Sequence, residues 1–173
     1  MQSKKLKIKT ITVSALFASI LCILSPFVIP IGPIPLSLAN FAVMLCAFSL
    51  SMPYALLSVT VYILLGLCGL PVFSSFSGGL QTLFGATGGF IWGYILLCVF
   101  CSFAKKSKKR AFKIIFCLIG LALCYLLGVL QYCVVLKTSF LSAVIICVLP
   151  FLFLDIIKCI LAYLISKKIL KIM

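Results

Sequence analysis

Runs of about 20 apolar residues recur along this sequence, separated by short polar or basic breaks. An α-helix of that length rises about 30 Å, the thickness of a bilayer's hydrocarbon core. With 65% hydrophobic and 9% charged residues among 173, the chain does not have the composition of a soluble domain. At roughly 20 residues per crossing, it has room for about six spans joined by short loops. The expectation is an all-α integral membrane protein with six transmembrane helices, a single domain over residues 1–173 and no soluble module.

The net charge of +14 would point a soluble protein toward nucleic acid, but here its placement matters more. Lys4, Lys5, Lys7 and Lys9 precede the first apolar run. Lys105, Lys106, Lys108, Lys109, Arg110 and Lys113 lie between runs, and Lys167, Lys168 and Lys171 follow the last. The positive-inside rule puts all three clusters in the cytoplasm, which makes both termini cytoplasmic, fits an even number of spans and leaves no nucleic-acid partner expected. The central basic loop reads as a solvated segment touching anionic lipid. Lys137 is the one loop cation on the other side.

Asp155 is the only acidic residue in the chain, and it lies in an otherwise apolar run with Lys158. Each such charge at bilayer depth costs about 2.5 to 3.5 kcal/mol on insertion scales. Three residues apart on a helix, the two side chains sit about 60° from each other and share a face. Measured from Phe151, they lie about 6 Å and 10 Å below the outer end of the last span. The pair therefore faces the protein interior, either as a structural ion pair or as a polar ligand site. In the second case the carboxylate accepts from ligand N–H groups, and the ammonium donates to a carbonyl or pairs with a carboxylate.

The first span runs from about Thr10 to Ile29. Small residues (Ser14, Ala15, Ala18, Ser19, Cys22) recur on it at the four-residue spacing that lets helices approach closely in lipid, whether within the chain or against another subunit. Pro26, Pro30, Pro33 and Pro35 mark an outer loop, either a lid or a plain connector. Ser37 to Leu50 is a shorter apolar run whose only amide, Asn40, serves helix packing or a ligand. Pro53 opens the third span, which carries Tyr62 and ends near Leu67. The glycine-rich stretch from Gly66 to Gly93 permits irregular backbone, tolerated at membrane depth only where it is buried or lines a cavity. Later spans are expected at about Leu83 to Phe103, with Trp92 on it, Ile114 to Leu136, and Phe151 to Leu170. A short apolar element falls between Ser139 and Leu149.

Several chemistries are excluded. One carboxylate and no histidine rule out two-carboxylate acid/base work, zinc sites and Ser-His-Asp triads, so no enzyme and no metal is expected. The ten cysteines are scattered through apolar runs, where cysteine acts as a small hydrophobe, and Cys98-x-x-Cys101 lacks a second pair. No P-loop is present, so another protein or a gradient must power any uphill transport.

Three stretches together resemble the biotin-specific BioY family, the substrate-binding S component of energy-coupling-factor (ECF) vitamin transporters. They are Pro33-Ile-Pro35-Leu-Ser-Leu; Gly69-Leu-Pro71-Val-Phe73 through Gly78-Gly79-Leu and Phe84-Gly85-Ala-Thr87-Gly88-Gly89-Phe; and Leu149-Pro150-Phe151 through Asp155-Ile-Ile-Lys158. The similarity runs from about Lys7 to Leu170. It implies a six-helix S-component bundle in the cell membrane, a biotin pocket opening outward under loops, and docking through Ala15 and Ser19 onto a membrane scaffold carrying two ATPase subunits. Substrate contacts are then expected from Asp155, Lys158, Asn40, Gln81, Tyr62, Phe73, Trp92, Gly88 and Gly89, with no cofactor. The chain departs from the family pattern at Ala39-Asn40, where a Gln is usual, and at Ala86 and Leu154. An S component for another vitamin and a non-transport membrane assembly factor are the competing readings.

Overall fold

The computed structural model describes residues 2–29, 35–107 and 109–172. Its helices are α1 (Gln2–Leu24), α2 (Ala39–Ser49), α3 (Met52–Leu67), the single turn α4 (Leu80–Leu83), α5 (Gly88–Lys106), α6 (Arg110–Leu136), α7 (Phe140–Cys147) and α8 (Leu149–Ile172). Strands β1 (Val28–Ile29) and β2 (Leu36–Ser37) pair antiparallel, Val28 opposite Ser37 and Ile29 opposite Leu36. A 3₁₀ turn covers Ser74–Phe76. The proline loop at Pro30 and Pro33, expected as a lid or a plain connector, and Lys108 of the basic loop lie outside the described residues.

The six expected spans fall on α1, α2, α3, α5, α6 and α8. Among the described residues α5, α6 and α8 are long and apolar enough to cross a membrane, whereas Ile8–Leu24, Ala39–Ser49 and Met52–Leu67 are shorter apolar helices. The shortest, α2, has nine of its eleven residues buried. A helix that is apolar all round belongs in the core, and α2 packs against α1, α3, α5 and α8. Its C-terminal carbonyls, Ser49 and Leu50, each accept a 2.9 Å hydrogen bond from Lys105 Nζ. This cation caps the negative end of the helix.

Two spans begin or end elsewhere than the hydropathy suggests. The first stops at Leu24 because Pro26 biases Ser25 away from helical backbone. The fourth begins at Gly88, because α4 and a turn occupy the residues from Leu80 onward. The turn is tied down by Gln131 of α6, whose Nε2 donates to the carbonyls of Leu83 at 2.8 Å and Gly85 at 2.7 Å. The small residues of α1 divide between two faces. Ser14 and Ala18 are buried, and the Ser14 carbonyl accepts a 2.8 Å bond from the Ser58 hydroxyl of α3. Ala15 and Ser19 are exposed on the outer face.

Candidate binding site

Pro150 sits in the first turn of α8, where its missing N–H breaks no helical bond. The helix then carries Asp155 inward, where it is 1% exposed. Three elements supply its partners. Oδ2 accepts from Asn40 Nδ2 of α2 and from the Tyr125 hydroxyl of α6, each at 2.6 Å, and Oδ1 accepts from Lys158 Nζ at 2.8 Å. Lys158 also donates to the Ser37 carbonyl of β2 at 2.8 Å. Ser37 is itself held, its hydroxyl donating to the Ser25 carbonyl and accepting from the Ala39 N–H, both at 3.0 Å.

This network answers the cost of burying a carboxylate, which is several kcal/mol per ion unless partners satisfy it. It also leaves capacity over. A carboxylate offers about four lone-pair sites and an ammonium three N–H donors. Three bonds reach Asp155 and two leave Lys158. One acceptor position on Asp155 and one donor position on Lys158 therefore remain, in a cluster whose charges cancel.

Both residues border a recess with about 570 Å³ of atom-free space, its open mouth included. Phe73, Phe90, Tyr94 and Phe151 wall it, with Leu36 and Ile91, while Ser37, Asn40 and Tyr125 add polar atoms at the ion pair. Phe90 meets Tyr125 edge to face, with ring centroids 6.4 Å apart. The recess thus has a polar floor at the Asp155–Lys158 pair and aromatic sides.

Of the residues singled out in the sequence, Asp155, Lys158, Asn40 and Phe73 lie on the recess wall. Five do not. Tyr62 is fully buried behind Phe73, edge to face at 5.5 Å, and its hydroxyl shares a hydrogen bond with Ser25. Trp92 is 37% exposed, because it lies one residue round α5 from the inward-facing Ile91. Gln81 is exposed on α4. Gly88 and Gly89 serve helix packing: a Cβ on Gly88 would overlap the Leu83 carbonyl, and one on Gly89 the Leu127 carbonyl of α6. The glycine-rich stretch nonetheless reaches the recess through Phe73, Ser74, Thr82 and Thr87.

Sequence reasoning missed Tyr125, Tyr94, Phe90 and Phe151. Tyr94 had a signal: Ile91, Tyr94, Cys98 and Cys101 recur at helical spacing and form the buried stripe of α5. Tyr125 had none, since a tyrosine in an apolar run does not show which way it points.

The sequence matches the model of the BioY family over residues 1–173. It is 36% identical over 161 residues to the biotin transporter BioY of Thermotoga maritima, covering 91% of this chain and 94% of that protein. It is 32% identical to a probable biotin transporter BioY of Pyrococcus horikoshii, covering 95% and 98% respectively. Among solved structures, the fold is similar to the S component for biotin from an ECF-type ABC transporter, with a TM-score of 0.86 and 27% identity over 96% of this chain and 93% of that one.

Proposed function

This chain belongs to the BioY family of membrane transport proteins, and on that premise we propose that it is the biotin-binding S component of an uptake system. It is a multi-pass membrane protein and not an enzyme. Acting as one unit over residues 1–173, it takes biotin from outside into the recess. It then docks on an ECF membrane scaffold whose two ATPase subunits supply the energy, and the loaded subunit reorients to release biotin inside. The exposed Ala15–Ser19 face of α1 is the docking surface, flat enough for a scaffold helix to approach closely. The basic ends of the helices, with both termini, lie in the cytoplasm.

One observation carries the ligand assignment. Asp155 and Lys158 neutralise each other at 2.8 Å and both border the recess. A cluster with no net charge, offering one acceptor and one donor, suits a neutral group that offers the same in reverse. The ureido ring of biotin does so: one N–H donates to Asp155, and the ring oxygen accepts from Lys158. The carboxylate of biotin suits this floor poorly, since it would meet Asp155 with like charge. Phe73, Phe90, Tyr94 and Phe151 then pack against the bicycle and valeryl chain.

Calorimetry on the detergent-solubilised chain tests this orientation. Biotin methyl ester should bind within about tenfold of biotin, because the ester end lies away from the ion pair. 2-Iminobiotin, which replaces the ring oxygen by a protonated nitrogen beside Lys158, should lose about 100-fold or more, as expected when a buried donor meets a donor. Loss of binding on esterification, with 2-iminobiotin still bound, would reverse the ligand in the recess.

A further inference from the structure

A groove at the opposite end of the bundle takes no part in the recess. It separates α6 from α8, with Phe48 of α2, Cys117 and Leu121 at its base and Ile114, Leu118 and Ile160 along its sides, and holds about 1140 Å³ of atom-free space open to the bilayer. From Leu121 to Lys113 it runs about 12 Å along α6, close to the depth of one leaflet of a 30 Å core. Lys113 and Lys167 stand at its rim, both against Tyr163. Their ammoniums lie 5.1 Å and 4.7 Å from its ring centroid, and Lys113 also donates to its hydroxyl at 3.1 Å.

The two cations are held together with no acid between them. The only acidic side chain in the chain, Asp155, is bonded to Lys158 and lies about 18 Å along α8 from Lys167. Cation–π contact with one tyrosine positions both ammoniums but neutralises neither. No other side chain of this sequence can supply a countercharge to them. The groove is apolar below the lysines and opens at the basic end of the helices, where the positive-inside rule places the anionic leaflet.

We propose that this groove is a binding site for an anionic phospholipid, its acyl chain lying between α6 and α8 and its phosphate bridging Lys113 and Lys167. Tyr163 spaces the two lysines so that both reach one headgroup. Occupied in this way, the groove ties the cytoplasmic halves of α6 and α8 together and makes their spacing depend on leaflet composition.

Native mass spectrometry of the full chain, released from detergent with added phosphatidylglycerol or phosphatidylcholine of matched tails, tests this. The wild type should retain phosphatidylglycerol at least about fivefold better than phosphatidylcholine, and K113Q and K167Q should each lower that retention about fivefold. K113R/K167R should keep the preference, and K137Q, a charge change on the far loop, should leave it unchanged. L118W, which fills the groove, should lower retention of both lipids. Millimolar inorganic phosphate should displace nothing, because the tail contributes to binding. Equal retention of the two lipids by the wild type, K113Q/K167Q holding phosphatidylglycerol as the wild type does, or displacement by free phosphate would each overturn the proposal.

Discussion

Replacing both members of the buried pair separates a ligand site from a structural ion pair. Asp155→Leu alone leaves Lys158 buried with the Ser37 carbonyl as its remaining partner, and strands the Asn40 amide and the Tyr125 hydroxyl. Breaking a buried pair in this way costs about 3–5 kcal/mol. In a chain of this size that lowers the melting temperature by about 6–20 °C. Adding Lys158→Met removes the uncompensated charge, so the double variant should melt above the single one. Its remaining deficit comes from the Asn40 and Tyr125 donors and the Ser37 carbonyl, all left without their partners. Biotin binding should not recover. The double variant lacks both hydrogen bonds proposed to the ureido ring, each worth about 1.5–3 kcal/mol as bonds to charged groups, so affinity should fall by more than about 100-fold. Thermal unfolding in detergent and biotin calorimetry on the same preparations measure the two effects separately. A double variant that binds biotin within about tenfold of the wild type would show that the pair only balances charge.

Three further outcomes follow from the same contacts. Tyr125→Phe keeps the ring against Phe90 but removes a 2.6 Å bond to Asp155; it should cost about 1.5–3 kcal/mol of stability and weaken biotin binding less than Asp155→Leu does, as read by melting and calorimetry. Gly89→Leu forces α5 away from the Leu127 carbonyl of α6; the chain should melt several degrees lower and lose biotin binding together with the Gln131-anchored turn, whereas an unchanged melt would mean the two helices are not in close contact there. Ser19→Trp on the exposed face of α1 should leave biotin binding by the isolated chain intact while abolishing uptake in cells that supply the ECF scaffold and ATPases; undiminished uptake would move the docking surface elsewhere.

The parts of this architecture legible in the sequence are those where a residue violates its surroundings. Asp155 and Lys158 stand out because charge in an apolar run must be turned inward, and the structure finds them on one face of α8 with a recess beside them. Pro53 marks the start of α3, and the central basic cluster marks the break between α5 and α6. Which side of a span faces the core is harder to read, because lipid is as apolar as a protein interior and the usual amphipathic contrast disappears. Aromatic type is a poor guide for the same reason. Tyr62 and Trp92 look as suited to a vitamin ring as Phe90 and Tyr94, yet one lies behind Phe73 and the other points outward. Glycine is ambiguous in another way. Gly88 and Gly89 suggest irregular backbone near a ligand, but their lack of a side chain serves the contact between α5 and its neighbours. Tyr125 was out of reach altogether, since its role depends on a carboxylate 30 residues further along the chain and on another helix.

The most direct measurement is a crystal structure of the chain with biotin bound. The ureido nitrogen should lie within about 2.6–3.2 Å of an Asp155 oxygen, and the ureido oxygen at a similar distance from Lys158 Nζ, with the bicycle between Phe73 and Phe151. Biotin seated elsewhere, with Asp155 and Lys158 bonded only to the protein groups they contact now, would contradict the account.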